Sequence, residues 1–179
     1  MGNRIDDQFS PHKFRIFGNR LEDAVFFVHE DTQKKLSDYL DDLKGVTFQK
    51  GFGSIYDKTQ RIITLSKTIA KVLNAPIESV ERTALLCKAD LVTKLVFEFT
   101  ELQGYIGSDY ALRSGETKEV AKGIKEHYFP LNADSELAES IEGQIVGIAD
   151  KIDTVVTVFA DGKKISGSQA PLGVRRATL

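Results

Sequence analysis

Four polar residues between Ala84 and Phe99 could do chemistry together. On one continuous helix Cys87, Asp90, Lys94 and Glu98 fall at i, i+3, i+7 and i+11 and share a face. Asp90–Lys94 and Lys94–Glu98 are then i,i+4 pairs, each worth roughly 0.2–0.5 kcal/mol when exposed. The line reads first as a salt-bridge ladder on a partly wet face, with an altered active-site face as the alternative. His127 follows Val120 by seven residues and Ile124 by three, so it points inward with that apolar stripe. A lone inward histidine is ordinarily a hydrogen-bonded core residue; metal ligation is the other reading. Asp150 and Asp153 lie three apart on a long helical pattern. Paired carboxylates can share a metal or a proton, or they can pair with a lysine from another helix. Gly143 and Gly147 lead up to Asp150 and let a neighbouring helix come close, which favours the structural reading.

The stretch Ala160-Asp161-Gly162-Lys163-Lys164 invites comparison with a phosphate-binding loop and fails it. That pattern needs a glycine five residues before the Gly-Lys pair, where Thr157 stands, and a preceding strand, where a helix is expected. What remains is a Gly/Ser loop with Lys163, Lys164, Arg175 and Arg176. These cations read as solvated surface or as contacts to RNA phosphates.

Composition bounds the rest. The chain has 179 residues, enough for one domain with a small appendage. Charged residues make up 28% but balance to a net −2, which argues against affinity built on a broadly basic surface. A single cysteine excludes an intramolecular disulfide and a cysteine-based zinc site. Histidines number three (His12, His29 and His127), so any metal site must rely mainly on carboxylates. No apolar run approaches the ~20 residues needed to cross a bilayer. A cytoplasmic protein without a membrane partner is expected.

The elements that must position these residues are mainly helical. Asn19 can cap a helix through Arg20–Val25 that gives way to a strand at Val25–Val28. Asp31 or Thr32 can cap a helix carrying Leu36, Tyr39, Leu40 and Leu43, and Val46–Gln49 reads as a second strand. From Ile55 onward helices follow one another. One carries Ile55, Ile62, Leu65, Ile69 and Val72; the next runs from Ser79 to Phe99 as a central helix. A connection or broken helix spans Gln103–Gly115, an amphipathic helix Glu116–Tyr128, and a long helix Leu137–Phe159. The last bears a stripe of Ile141, Ile145, Ile148, Ile152, Val155 and Phe159. Three segments result: 1–18, a strand–helix–strand appendage over 19–54, and a helical domain over 55–179. The chain stops inside a helix begun at Val174, which suggests a piece of a longer protein.

Several of these runs together resemble the β subunit of bacterial glycyl-tRNA synthetase. They are LLCKADLVTKLVFEFTELQGYIG, EHYFP, IADKIDTVVTVF and SGSQAPLGVRRATL, with RLEDAVFFVHED and VTFQKGFGSIYDKTQRI upstream. The resemblance starts near Asn19 and keeps this order; residues 1–18 match poorly. It departs at Ala170-Pro171-Leu172, where the family carries an acidic residue, proline and an aromatic. The resemblance implies a bundle like that of the HD metallohydrolases, and ALLCKADLV looks like the middle of an LLHD-type motif. Carried over residue by residue, the first ligand histidine falls near Lys58 and the His-Asp pair near Cys87 and Lys88. Only the final acidic ligand survives, at Asp150. The implied site is degenerate: no catalytic residue, no metal, and Asp150 paired with a lysine near Asp90 and Lys94.

The resemblance further implies an α2β2 ligase in which ATP, glycine and Mg bind at the α subunit, and no cofactor binds this part of β. Its partners would be tRNA(Gly), the α subunit and the remaining domains of the β subunit. Two other functions compete. One is a metal-dependent HD phosphohydrolase with Asp90, His127, Asp150 and Asp153 as substitute ligands; the other is a purely structural spacer.

Overall fold

The computed structural model describes residues 22–49, 51–132 and 134–160. Helix α1 occupies 22–31 and is followed by two 3-10 turns, Leu36–Tyr39 and Asp42–Gly45. Then come α2 (Ile55–Leu73), α3 (Ile77–Leu86), a 3-10 turn at Ala89–Val92 and the short α4 (Lys94–Glu98). Helices α5 (Tyr105–Arg113), α6 (Lys118–Glu126) and α7 (Ile141–Ala160) complete the bundle. Helix α2 packs on α3 and α7, while α6 packs on α3, α5 and α7. A helical bundle was expected, and no sheet forms among the described residues.

Local signals explain most of the boundaries. Ser54 and Asp57 form a reciprocal capping box at the start of α2: the Ser54 amide donates to Asp57 Oδ2 at 2.7 Å, and the Asp57 amide donates to Ser54 Oγ at 3.2 Å. Asn74 ends α2 with φ +52°, a left-handed stop that asparagine tolerates, and Pro76 follows. Thr93 and Thr117 cap α4 and α6 through their hydroxyls.

Three expectations are corrected. Val25–Val28 is helical rather than a strand; a short apolar run has no period that separates the two. Val46–Gln49 forms no strand ladder either, only an isolated bridge from Thr47 to Ser54. The intended appendage helix is instead the pair of 3-10 turns, and Leu36 and Tyr39 enter the same core as Leu86, Tyr110 and Ile124. Residues 22–49 are thus packed into the bundle. Asp31, expected to cap the segment after it, caps α4 instead: its carboxylate accepts from the amides of Lys94 (2.9 Å) and Leu95 (3.0 Å) and from Tyr110 Oη at 3.1 Å.

The expected central helix over Ser79–Phe99 breaks after Leu86. Thr93 Oγ1 donates to the Asp90 carbonyl at 2.8 Å, while Asp90 Oδ2 accepts from the amides of Gly104 (2.6 Å) and Gly107 (3.1 Å). These side chains offer the backbone a non-helical alternative that apolar periodicity does not reveal. A side chain at Gly107 would lie 2.9 Å from Asp90 Oδ2, so glycine is required for that approach.

Helix α7 is rotated relative to the apolar stripe read from its sequence. It buries Gly143, Ile145, Val146, Gly147, Ala149, Asp153, Thr157 and Val158, whereas Ile148, Ile152 and Phe159 are exposed. The close approach of α6 chooses this face. A β-carbon at Gly147 would stand 2.9 Å from the His127 carbonyl oxygen, and one at Gly143 would stand 2.7 Å from Glu126 Cβ. The Gly147 neighbour is backbone and cannot swing away. Gly147→Ala is therefore expected to destabilise the chain by about 1–3 kcal/mol through overpacking, outweighing the ~1 kcal/mol gain in helix propensity. Gly147→Leu should cost more. Urea denaturation checks this; an unchanged or raised midpoint for Gly147→Ala would mean that α6 and α7 are not in contact there.

Candidate functional site

The residues that the resemblance sets at the expected metal positions converge on one carboxylate. Lys58 comes from the first turn of α2, Cys87 and Lys88 from the end of α3, His127 from the end of α6, and Asp150 and Asp153 from α7. Lys88 Nζ donates to Asp150 Oδ2 at 2.7 Å and to His127 Nε2 at 2.9 Å. On the other side Lys58 Nζ makes a 2.7 Å ion contact with Asp150 Oδ1. It donates to Thr154 Oγ1 at 2.8 Å, to Asp153 Oδ2 at 3.1 Å and to the Asp150 carbonyl at 3.3 Å. Arg61 closes the outer end, with Nε 2.5 Å from Asp153 Oδ1 and Nη2 3.2 Å from Asp153 Oδ2. Aromatic rings cap both lysines: Phe48 lies 4.6 Å from the Lys58 ammonium and Tyr128 lies 4.1 Å from that of Lys88.

Partner geometry sets the histidine tautomer. Nδ1 lies 2.6 Å from the Ile124 carbonyl, which only accepts, so Nδ1 carries the proton. Nε2 then offers its lone pair to Lys88. Burial, and next the Lys88 charge, push His127 well below the ordinary imidazole range, so it is neutral in the folded protein. Asp150 behaves oppositely. Burial disfavours its charge, but Lys88 and Lys58 together overcome that and hold the carboxyl well below the usual range. Burial likewise works against the Lys88 ammonium, and Asp150 more than restores it.

Cys87 is fully buried, and burial pushes its thiol up to about 12. It donates to the Ala84 carbonyl and is not poised as a nucleophile. Asp90 is pushed up to about 6 by burial, against the opposing pull of the Gly104 amide and Lys88. Its Oδ2 serves the 104–107 turn, and its Oδ1 is buried without a hydrogen bond.

The ladder expected along Cys87, Asp90, Lys94 and Glu98 does not form, because the helix that would align them is interrupted. Lys94 pairs with Glu30 of α1, not with Asp90 or Asp150. The lysines that meet Asp150 are Lys58 and Lys88; Lys88 lies near Asp90 as expected, whereas Lys94 lies elsewhere. Arg61 was not singled out from sequence; its place one turn after Lys58 on the same face of α2 was the available signal. Lys163, Lys164, Arg175 and Arg176 lie outside the described residues.

An HD-type metal does not fit this donor set. Both Asp150 oxygens face ammonium groups at 2.7 Å, and the His127 lone pair is engaged by Lys88. A divalent ion placed there would meet two like charges before any free donor. Among the described residues no group of three or more His, Cys, Asp or Glu is arranged to hold a metal. What the arrangement does is tie α2, α3, α6 and α7 together through buried charge.

Comparison with known proteins agrees with the resemblance read from sequence. The model of the family described as glycyl-tRNA synthetase beta subunit matches residues 12–179. The chain belongs to that family. The match begins ahead of Asn19, so part of the poorly matching N-terminal stretch is also covered. The glycine–tRNA ligase beta subunit of Gloeothece citriformis is 49% identical over 166 residues, 91% of this chain. That of Picosynechococcus sp. is 48% identical over the same share, and that of Desulforamulus reducens is 44% identical over 92%. The chain spans only 23–24% of the length of these relatives. No helix among the described residues is long and apolar enough to cross a membrane.

Two predictions follow from the charge cluster. Asp150→Ala leaves two buried ammonium groups without their shared carboxylate and should cost about 3–5 kcal/mol of stability. Thermal and urea unfolding measure it; a loss under 1 kcal/mol would mean that the lysines reach water instead. The second concerns pH. Because His127 is neutral when folded but takes a proton near 6.5 when unfolded, folded stability is lost as pH falls below 6.5. His127→Gln lacks this term, while the opposing contribution of Asp90 is common to both proteins and cancels. The stability advantage of His127 over the variant should be full above about pH 7 and shrink below 6.5, by up to ~1.4 kcal/mol per pH unit. An advantage equal at pH 8 and pH 5 would show that the imidazole is protonated in the folded protein.

Proposed function

We propose that this chain is a non-catalytic tRNA-recognition and assembly region of a glycine–tRNA ligase β subunit. It supports ATP-dependent attachment of glycine to tRNA(Gly) by an α2β2 enzyme in the cytoplasm, with ATP, glycine and Mg bound at the α subunit. Its partners are tRNA(Gly), the α subunit and the remaining domains of the β subunit. Family membership supports the ligase setting. One observation carries the non-catalytic reading: the Asp150 carboxylate is engaged on both oxygens by Lys58 and Lys88. Metal-assisted hydrolysis needs donors with free lone pairs around a cation that lowers the pKa of bound water. The competing phosphohydrolase would need Asp90, His127, Asp150 and Asp153 to supply them. Yet Asp90 Oδ2 is committed to two amides, His127 to Lys88, and Asp153 to Lys58 and Arg61, which leaves Asp90 Oδ1 as a single buried oxygen without a hydrogen bond, too few donors for a cation.

The purified protein is therefore expected to carry no stoichiometric transition metal and to hydrolyse no phosphoester when supplied with Mn²⁺. Metal analysis without chelator, followed by assay on nucleotide and generic phosphoester substrates, checks this. About one equivalent of metal, with turnover lost in Asp150→Ala, would establish the hydrolase instead. For RNA, Lys163, Lys164, Arg175 and Arg176 are the candidate phosphate contacts. Binding of tRNA(Gly) by the complete β subunit should weaken as salt rises, and neutralising these four residues should flatten the slope of log affinity against log salt. Unchanged affinity and slope would remove them from the interface.

A further inference from the structure

Many of the bundle's surface lysines are matched by an acid: Lys34, Lys44, Lys67, Lys94 and Lys122 each meet a carboxylate. Lys125 and Lys151 meet none among the described residues, and both converge on Phe129. Lys125 Nζ stands 5.8 Å from the centre of the Phe129 ring and 4.9 Å from that of Tyr105. Lys151 Nζ donates to the Phe129 carbonyl at 2.6 Å. The carboxylate next to Lys151 in the chain, Asp150, is already engaged by Lys58 and Lys88. Packing rather than charge fixes this group. Gly104 starts α5 with φ +80°, hard against the end of α6: a β-carbon there would lie 2.7 Å from Tyr128 Cδ2 and 3.4 Å from the Lys125 carbonyl oxygen. That close approach sets Tyr105 beside Lys125. Phe129 is buried, and its amide donates to the Glu126 carbonyl at 2.9 Å. Tyr105, by contrast, is 44% exposed.

We propose that Tyr105, Lys125 and Lys151 together bind one unpaired nucleotide of an RNA, with its base on the Tyr105 ring and its phosphate at the two ammonium groups. This rests on the tRNA-recognition reading and deepens it by placing a contact within the described bundle. The residue types fit that chemistry. An exposed aromatic ring stacks on the face of any base, and ammonium groups without a protein counter-ion can neutralise the phosphate beside it. The nucleotide must be unpaired, because a base inside a duplex has no free face to offer. A chain of net charge −2 cannot hold RNA by a broadly basic surface, so contacts have to be local groups of this kind. The Lys125 ammonium over Tyr105 also restrains the ring, which lowers the entropy lost when a base settles on it.

Binding of tRNA(Gly) to the complete β subunit, measured by fluorescence anisotropy across a range of salt, tests the site. Tyr105→Ala should weaken binding roughly fivefold or more and leave the salt slope unchanged, while Tyr105→Phe should keep the affinity. Lys125→Gln and Lys151→Gln should each flatten the slope of log affinity against log salt by roughly 0.7, the value for one lost single-strand phosphate contact. Lys71→Gln, an exposed lysine at the end of α2, is the control for general charge and should leave the slope nearly as it was. Melting temperatures establish that each variant is folded, and Lys125, which makes no hydrogen bond through its ammonium among the described residues, is the substitution least able to disturb the core. If the unaltered subunit does not bind tRNA(Gly) even at low salt, the recognition reading falls and this site with it. If it binds but Tyr105→Ala and Lys125→Gln change neither affinity nor slope, the site alone is overturned. Loss of the α subunit from these variants in sedimentation, with tRNA binding intact, would overturn it too and give the surface to a protein contact.

Discussion

The whole centre of this bundle depends on one anion held between two buried lysines. Asp150 lies between two ammonium groups that come from helices remote from it in sequence, and each of those lysines is itself almost removed from solvent. Such a cluster is stable only as a complete set, because taking charges out of water costs several kcal/mol per ion and only mutual contact recovers it. The completeness is visible in the periphery. Asp153, Thr154, Arg61 and His127 satisfy what Asp150 leaves over, and Phe48 and Tyr128 close the ends with ring faces. The helices are thus held around two ammonium groups.

An ammonium-centred cluster has a chemical consequence. A divalent ion organises a site by accepting lone pairs and leaving a position open for water. An ammonium instead pairs with such oxygens by charge, here by hydrogen bond from Lys88 to Oδ2 and by ion contact from Lys58 to Oδ1 of Asp150. His127 illustrates the change: its neutral Nε2 has the lone pair a metal ligand needs, yet Lys88 consumes it. The cluster's polar contacts are spent on joining α2, α3, α6 and α7.

Two further carboxylates do comparable work nearer the edge. Asp31 joins α1 to the start of α4 and to Tyr110, and Asp90 joins the broken end of α3 to the glycine turn that begins α5. Each satisfies backbone amides that a helix start leaves without partners. Glu126 repeats the device at the start of α7, accepting from the amides of Glu139 and Ser140. Because these caps come from distant segments, they set the angles between elements as well as their ends.

Sequence alone determined the class of the fold, the family, the inward position of His127 and the close helix contact at Gly147. These depend on residue type and on spacing within one element, which are local. It misjudged what depends on distant partners. Val25–Val28 is a helix because a short apolar run has no period of its own, and the Ser79–Phe99 pattern breaks because Asp90 and Thr93 find partners that periodicity does not register. The outward turn of Ile148, Ile152 and Phe159 has the same origin: apolar residues supply a stripe, but the backbone contact at Gly147 selects which side of α7 faces inward. Only the tertiary structure decided which lysines Asp150 would meet. Lys58, Lys88 and Asp150 are tens of residues apart in the chain, and a charge pair is chosen by the packing that brings its members within 3 Å.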